Sequence, residues 1–139
     1  MNDPLPNIER ALYRYAWSFD SGNLDEIGDL FTAEAQVEFH DTGLKVGRSA
    51  IVDELRRRRQ LYSTGDLPWH LITNTLVTKL EEGRAEVRSQ WTVFVASGAG
   101  SAQLRGTGWY DDVFESDGDI WQVARRHVRF PSIEQARGR

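Results

Sequence analysis

Two side chains that lie far apart in the sequence, Asp20 and His70, have the chemistry needed to move a proton near neutral pH. A neutral imidazole accepts a proton in this range, and a carboxylate on its second nitrogen fixes the tautomer and raises the basicity of the ring. Such a pair could remove a proton from carbon. Both residues could instead be structural. Asp20 precedes a Ser-Gly turn at a helix end, and His70 shares a partly apolar strand face, where it could be a core residue.

Further residues could form a pocket around this pair. Tyr15 lies centrally on the apolar face of its helix, where its ring is expected in the core, and its hydroxyl could take part in the pocket. Asn74 lies on the same predicted strand face as His70 and could donate to a substrate oxygen, or to backbone as a buried amide. Trp69, directly before His70, is a further substrate-binding candidate.

The last strand contributes two more substrate-binding candidates, Arg126 and His127. Neighbouring side chains on a strand point to opposite faces, so one of the two faces inward and could complete a polar pocket. Alternatively, the basic residues here form an exposed edge that protects against aggregation.

Several kinds of site have no support. The chain has no cysteine, which excludes disulfides, thiolate metal sites and cysteine nucleophiles. Its three histidines lack the spacing of a metal motif, so neither a metal nor another cofactor is expected. The Gly-Thr-Gly segment at 106–108 lies within a predicted strand, which favours a bulge or bend over a phosphate-binding loop.

Length and composition predict one folded domain over residues 1–139. Hydrophobic residues make up 40% of the chain, and 17 Lys and Arg against 21 Asp and Glu give a net charge of −4, which argues against nucleic-acid binding. No apolar run is long enough to predict a membrane span, and the first residues lack an export signal. We therefore expect a cytoplasmic protein without a membrane partner.

Hydrophobic periodicity predicts helices at residues 7–20, at residues 24–31 and from an N-cap at Ser49 to about residue 62, with the arginine run 56–59 on a solvated face. Alternation predicts strands at 35–40, 69–80, 84–96, 103–115 and 119–130, and short links between the last four indicate antiparallel pairing. The order α-α-β-α-β-β-β-β is typical of the α+β class. A curved antiparallel sheet wrapped on the N-terminal helices would leave a cone-shaped interior in which a small molecule could bind.

Short motifs along nearly the whole chain resemble the SnoaL-like branch of the nuclear transport factor 2-like superfamily. They lie at residues 15–22, 24–25, 30–31, 47–51, 70–74, 108–110 and 117–118, together with Trp121. The resemblance implies the cone-shaped roll of that superfamily. It says less about activity, since the superfamily contains dehydratases, isomerases, cyclases, hydrolases and non-catalytic members.

Within this branch, the chain is similar to scytalone dehydratase, the bile acid 7α-dehydratases and the hexachlorocyclohexane dehydrochlorinase. The similarity implies that Asp20 and His70 form a catalytic dyad, and that Tyr15 occupies a catalytic position of the bile acid enzymes. Two departures count against scytalone as the substrate: Phe19 stands where scytalone dehydratase has a tyrosine, and the strand near residues 91–97 lacks its second histidine.

These observations favour a cofactor-independent dehydratase or isomerase that acts on a small, apolar, oxygenated or cyclic substrate. A polyketide cyclase-like enzyme is a close alternative. A non-catalytic ligand carrier or assembly subunit, similar to the β subunits of aromatic-ring dioxygenases, is a second class. The resemblance also implies a homo-oligomer, most often a dimer that associates through the sheet.

Overall fold

The computed structural model describes residues 2–98 and 100–131, in which helices are followed by a curved, open sheet. The predicted α+β class and roll are confirmed. In chain order the elements are α1 (Leu5–Ser21), α2 (Leu24–Ile27), a 3-10 helix (Gly28–Leu30), β1 (Phe31–Phe39), β2 (Gly43–Val46), α3 (Arg48–Gln60), β3 (Asp66–Glu81), β4 (Arg84–Ser97), β5 (Ser101–Asp117) and β6 (Ile120–Arg129).

The strands are ordered β2-β1-β6-β5-β4-β3, with β2 and β3 at the two edges. Strands β3 to β6 pair antiparallel through short turns, as expected. The expectation of an antiparallel sheet throughout is wrong for one pair, because β1 runs parallel to β6. No hairpin turn joins these two strands, so their sequence separation left the direction of pairing open.

Around the first strands, two local predictions need correction and one short strand was missed. The second helix stops at Ile27 and tightens into the 3-10 turn, so Phe31 begins a strand instead of ending a helix. The strand β2 was not predicted, since it has four residues and mostly exposed side chains that show no alternation. Ser49 does not cap α3, because the helix already begins at Arg48 after Gly47, whose φ is 93°.

The core forms where α1 packs against the sheet. One face of α1 buries Ile8, Leu12, Tyr15 and Phe19, which fall at the spacing of an amphipathic helix. These side chains belong to one buried cluster with residues from α3 and from the sheet, among them Ile51, Phe31, Phe114 and Val123. The C-terminal end of α1 is therefore fixed against the strands that surround it.

Among the described residues, no helix is both long and apolar enough to cross a lipid bilayer.

Close packing between β4 and β5 depends on Gly108. A Cβ atom at this position would overlap the backbone oxygen of Arg129 and lie 2.5 Å from a carbon of the Trp91 ring. The missing side chain thus allows the Trp91 ring to lie against the backbone of β5. Gly106, two residues earlier, has its nearest such contact at 3.8 Å.

We expect Gly108→Ala to lower the free energy of unfolding by about 1–3 kcal/mol or more. The added methyl group must push both the Trp91 indole and the β6 backbone away from β5. Gly106→Ala is the matched control and should change stability much less. Urea denaturation of both variants measures the difference. Equal stability of the two variants would contradict the packing argument.

Candidate active site

The carboxylate of Asp20 holds His70 at two points. His70 Nδ1 lies 2.6 Å from Asp20 Oδ1, and the backbone N–H of His70 donates to Asp20 Oδ2 at 2.7 Å. The side chains of His70 and Asp20 are 11% and 18% exposed, respectively, so this contact is largely shielded from water. With both carboxylate oxygens engaged, the orientation of the imidazole is fixed.

The partners of His70 also define its tautomer. An ionised carboxylate only accepts hydrogen bonds, so a neutral His70 carries its proton on Nδ1. The second nitrogen, Nε2, has no hydrogen-bond partner within residues 2–98 and 100–131. The ring also meets Phe19 edge to face, with centroids 5.1 Å apart. A fixed imidazole with a free Nε2 has the form of a general base.

The end of α1 that carries Asp20 is held by α3. Gly22 adopts a left-handed conformation (φ 81°) and its N–H donates to Phe19 O, which ends the helix directly after the dyad residue. Arg59 donates to Phe19 O at 2.9 Å and to Asp20 O at 3.1 Å. The prediction that the arginine run is solvated is therefore wrong for Arg59, which donates to two carbonyl groups at the end of this helix.

An interior cavity of about 310 Å³ adjoins the dyad. Its wall is mainly aromatic and aliphatic and contains His70, Tyr15, Trp91, Tyr110 and Phe130. Arg58 also lines this cavity, with its guanidinium 4.3 Å from the centroid of the Phe39 ring and bonded to Asp41. The prediction of a solvated face is thus wrong for this arginine as well.

A buried ion pair lies behind two of these aromatic rings. Arg126 and Asp112, 2% and 3% exposed, form two hydrogen bonds of 2.8 and 2.9 Å. The Arg126 guanidinium lies 3.8 Å from the ring centroid of Tyr110 and 4.8 Å from that of Tyr15. Burial opposes the charge on Arg126, but the Asp112 carboxylate raises the pKa of the guanidinium above its usual value.

The two tyrosines beside this pair stay protonated. Burial raises the pKa of Tyr15 and, more strongly, that of Tyr110, against the opposing effect of Arg126. Their rings meet edge to face with centroids 6.2 Å apart. Each hydroxyl can therefore donate a hydrogen bond over the whole neutral pH range.

The structure places the other predicted site residues in different surroundings. Arg126 faces inward, whereas His127 is on the other face of β6, with Nδ1 3.4 Å from Glu38. Asn74 does not line the cavity. It has φ 53°, lies at a β-bulge, is exposed and donates to Gln90. The expected alternation from His70 to Asn74 is therefore interrupted.

Trp69 lies on a second recess, outside the sheet edge. This groove, of about 390 Å³, separates α1 from β3 and is lined by apolar side chains and by the two dyad residues. Trp17 and Trp69 are 72% and 51% exposed beside it. The dyad thus stands between the interior cavity and this outer groove.

Asp112 and Arg105 were not among the predicted site residues. Asp112 alternates with Tyr110 and Phe114 on the buried face of β5. Because a buried carboxylate requires a partner of opposite charge, this pattern indicates a buried ion pair. Arg105 lines the interior cavity, and no periodicity indicated this position. Within the described ranges there is no cluster of three or more His, Asp or Glu side chains arranged for a metal ion.

Comparisons with known proteins agree with this architecture. A family model for the SnoaL-like domain matches residues 6–127, while curated protein sequences yield no match. Among solved structures, Aln2 from a Streptomyces species has a TM-score of 0.83 at 18% identity, with 97% of this chain and 95% of that chain covered.

Two proteins from Novosphingobium aromaticivorans have the same fold. One, assigned as a scytalone dehydratase, has a TM-score of 0.77 at 21% identity and covers 92% of this chain and 84% of its own. The other, assigned as the β subunit of an aromatic-ring-hydroxylating dioxygenase, has a TM-score of 0.73 at 16% identity, with 92% and 89% covered. At these identities the likeness shows the fold alone.

We expect the protein to lose stability as the pH rises above 10. An unfolded tyrosine releases its proton near pH 10, whereas folded Tyr15 and Tyr110 hold theirs, so the unfolded state is favoured in this range. Tyr110→Phe should reduce the slope of unfolding free energy against pH by up to about 1.4 kcal/mol per pH unit. Urea denaturation between about pH 9 and 11 measures the slope, and an unchanged slope in the variant would contradict the assignment.

Proposed function

Because the chain belongs to the SnoaL-like family, as its motifs predict, we propose that it is a cofactor-independent enzyme of the dehydratase or isomerase type. The observation that carries this proposal is the 2.6 Å contact between Asp20 and His70 beside a mainly apolar cavity. The proposed substrate is a small, largely apolar molecule that is oxygenated or cyclic.

In this mechanism, His70 Nε2 removes a proton from a carbon atom of the substrate. Asp20 keeps the Nδ1 proton in place and stabilises the imidazolium that forms. The shielded position of the dyad strengthens that interaction, because little water competes for the charge. The aromatic wall excludes water from the carbanion-like transition state.

Either of two outcomes can follow the proton transfer. In an elimination, the electron pair of the broken C–H bond forms a C=C bond, the C–O bond breaks, and the leaving hydroxyl takes the proton from the His70 imidazolium and departs as water. In an isomerisation, the imidazolium returns the proton to another carbon. In this proposal Tyr15, which lines the cavity and whose pKa is raised by burial, polarises a carbonyl or a leaving hydroxyl.

A polyketide cyclase-like reaction could begin with the same proton abstraction, with the resulting carbon nucleophile attacking a carbonyl of the same molecule. The dyad would serve this reaction without change. The chemistry tested first is therefore proton abstraction itself, which all three reactions share.

We expect the wild-type protein in D2O to exchange hydrogen for deuterium next to the carbonyl of a panel of cyclic hydroxyketones, with or without loss of water. His70→Ala should slow this exchange by about 10²–10⁴-fold, since it removes the base. Asp20→Asn should slow it by at least about 10²-fold, since the amide no longer enforces the tautomer. Mass spectrometry and NMR measure exchange and product.

The matched control is His127→Ala, because the structure places His127 beside Glu38 on the face of β6 that does not line the cavity. This variant should exchange at the wild-type rate. Circular dichroism must show that every variant is folded, since Asp20 also accepts the His70 backbone N–H. Full activity in folded Asp20→Asn and His70→Ala proteins would remove the dyad from the mechanism.

The outer groove favours a second candidate function, assembly with another copy of this chain. Exposed apolar residues such as Trp17, Trp69 and Leu71 surround it, and isolated proteins rarely expose patches of this kind. The expected homo-oligomer remains a proposal on this basis.

We expect Trp69→Lys to shift the protein to a smaller species in analytical ultracentrifugation, because a charge in the groove opposes burial of the apolar face. Leu104→Lys is the control, since Leu104 is similarly exposed but does not line the groove. A wild-type monomer at all concentrations would refute the assembly.

A further inference from the structure

Strand β5 contains an irregularity directly at the wall of the interior cavity. Val93 of β4 pairs with Gly106, but the next residue, Phe94, pairs with Leu104. Arg105 is therefore an extra residue in β5, which is the definition of a β-bulge.

Because of the bulge, Arg105 faces the cavity in place of Leu104. Gly106, Gly108 and Tyr110 follow the regular alternation of β5, and its continuation would bring Leu104 to the same face. Instead Arg105 and Gly106 both line the cavity, and Leu104 is 62% exposed. A charged side chain thus occupies the place at which alternation would have put an apolar one.

Arg105 differs from the two other arginines beside this cavity because those two are paired with carboxylates. Arg58 is matched by Asp41 and Glu54, and Arg126 by Asp112. Arg105 forms no ion pair with any carboxylate in residues 2–98 and 100–131.

The side chain of Arg105 is nevertheless placed by a neighbour. Its guanidinium lies 4.7 Å from the centroid of the Tyr62 ring, which also lines the cavity. An arginine stacked on an aromatic ring keeps its planar set of N–H donors available, and this set matches the two oxygens of a carboxylate. Arg105 is itself exposed to solvent, so the donors lie on the open side of the cavity.

We propose that Arg105 selects substrates that carry a carboxylate, bound on the open side of the cavity while the apolar body of the molecule extends inward toward His70. This inference rests on the proposed function and narrows it to a class of substrate, the small apolar carboxylic acids. Arg105 is a specificity residue and takes no part in the proton transfer.

Binding of matched probes tests the inference without a known substrate. The probes are benzoate, 2-naphthoate and 4-phenylbenzoate, each compared with its neutral amide by isothermal titration calorimetry. The wild-type protein should bind at least one acid about tenfold more tightly than its amide. Arg105→Gln should abolish that preference, and Arg105→Lys should restore part of it through the charge alone.

Arg14→Gln is the control for net charge, since Arg14 is exposed on α1 and does not line the cavity. It should keep the wild-type preference. The inference is overturned if the wild-type protein shows no carboxylate preference for any probe, or if Arg105→Gln retains it.

His70→Ala separates this inference from the proposed function. The variant should lose deuterium exchange and keep its preference for the acid. A preference lost in His70→Ala would assign carboxylate binding to the dyad and refute the role of Arg105. If Arg105→Gln loses the preference while the dyad variants keep full exchange activity, the specificity role stands and the base mechanism fails.

Discussion

The contact between α1 and the edge strand β3 depends on the carboxylate of Asp20. An edge strand presents backbone N–H groups that have no strand partner, and Asp20 satisfies one of them at His70 while its other oxygen binds the imidazole of the same residue. Arg59 then ties the carbonyl end of α1 to α3. The carboxylate that binds this backbone N–H thus also orients the His70 imidazole. Because three elements hold the dyad, its geometry is set by the packing of the domain and not by a loop.

The ion pair of Arg126 and Asp112 imposes a second constraint. Two charges this deeply buried are costly to desolvate, and two hydrogen bonds offset part of this cost, while Arg126 Nη1 has no hydrogen-bond partner among the described residues. Tyr15 and Tyr110 cover the pair and separate it from the cavity. The cavity therefore has a rigid polar layer behind an aromatic wall. Burial in this wall raises the pKa of both tyrosines, although Arg126 opposes the shift.

The fold alone leaves the function open, since similar rolls occur in proteins assigned to dehydration and to dioxygenase assembly. The features that distinguish this chain lie in the site. The dyad stands between an interior cavity, on which the proposed catalysis depends, and an exposed apolar groove, on which the proposed association depends. The bulge at Arg105 adds a charge to a wall that strand alternation would have made apolar.

The sequence by itself determined the features that depend on local periodicity. The apolar face of α1 and the alternation of four long strands predicted the α+β class. Motifs around Asp20 and His70 indicated the family and, through it, the pairing of these two residues. Only the tertiary structure decided which faces these residues occupy. A bulge at Asn74 turned its side chain away from the cavity, and another brought Arg105 into it, because one extra residue reverses the alternation that the sequence predicts. The parallel pairing of β1 with β6 and the inward position of Arg126 likewise arise from contacts between segments far apart in the chain, which no local pattern encodes.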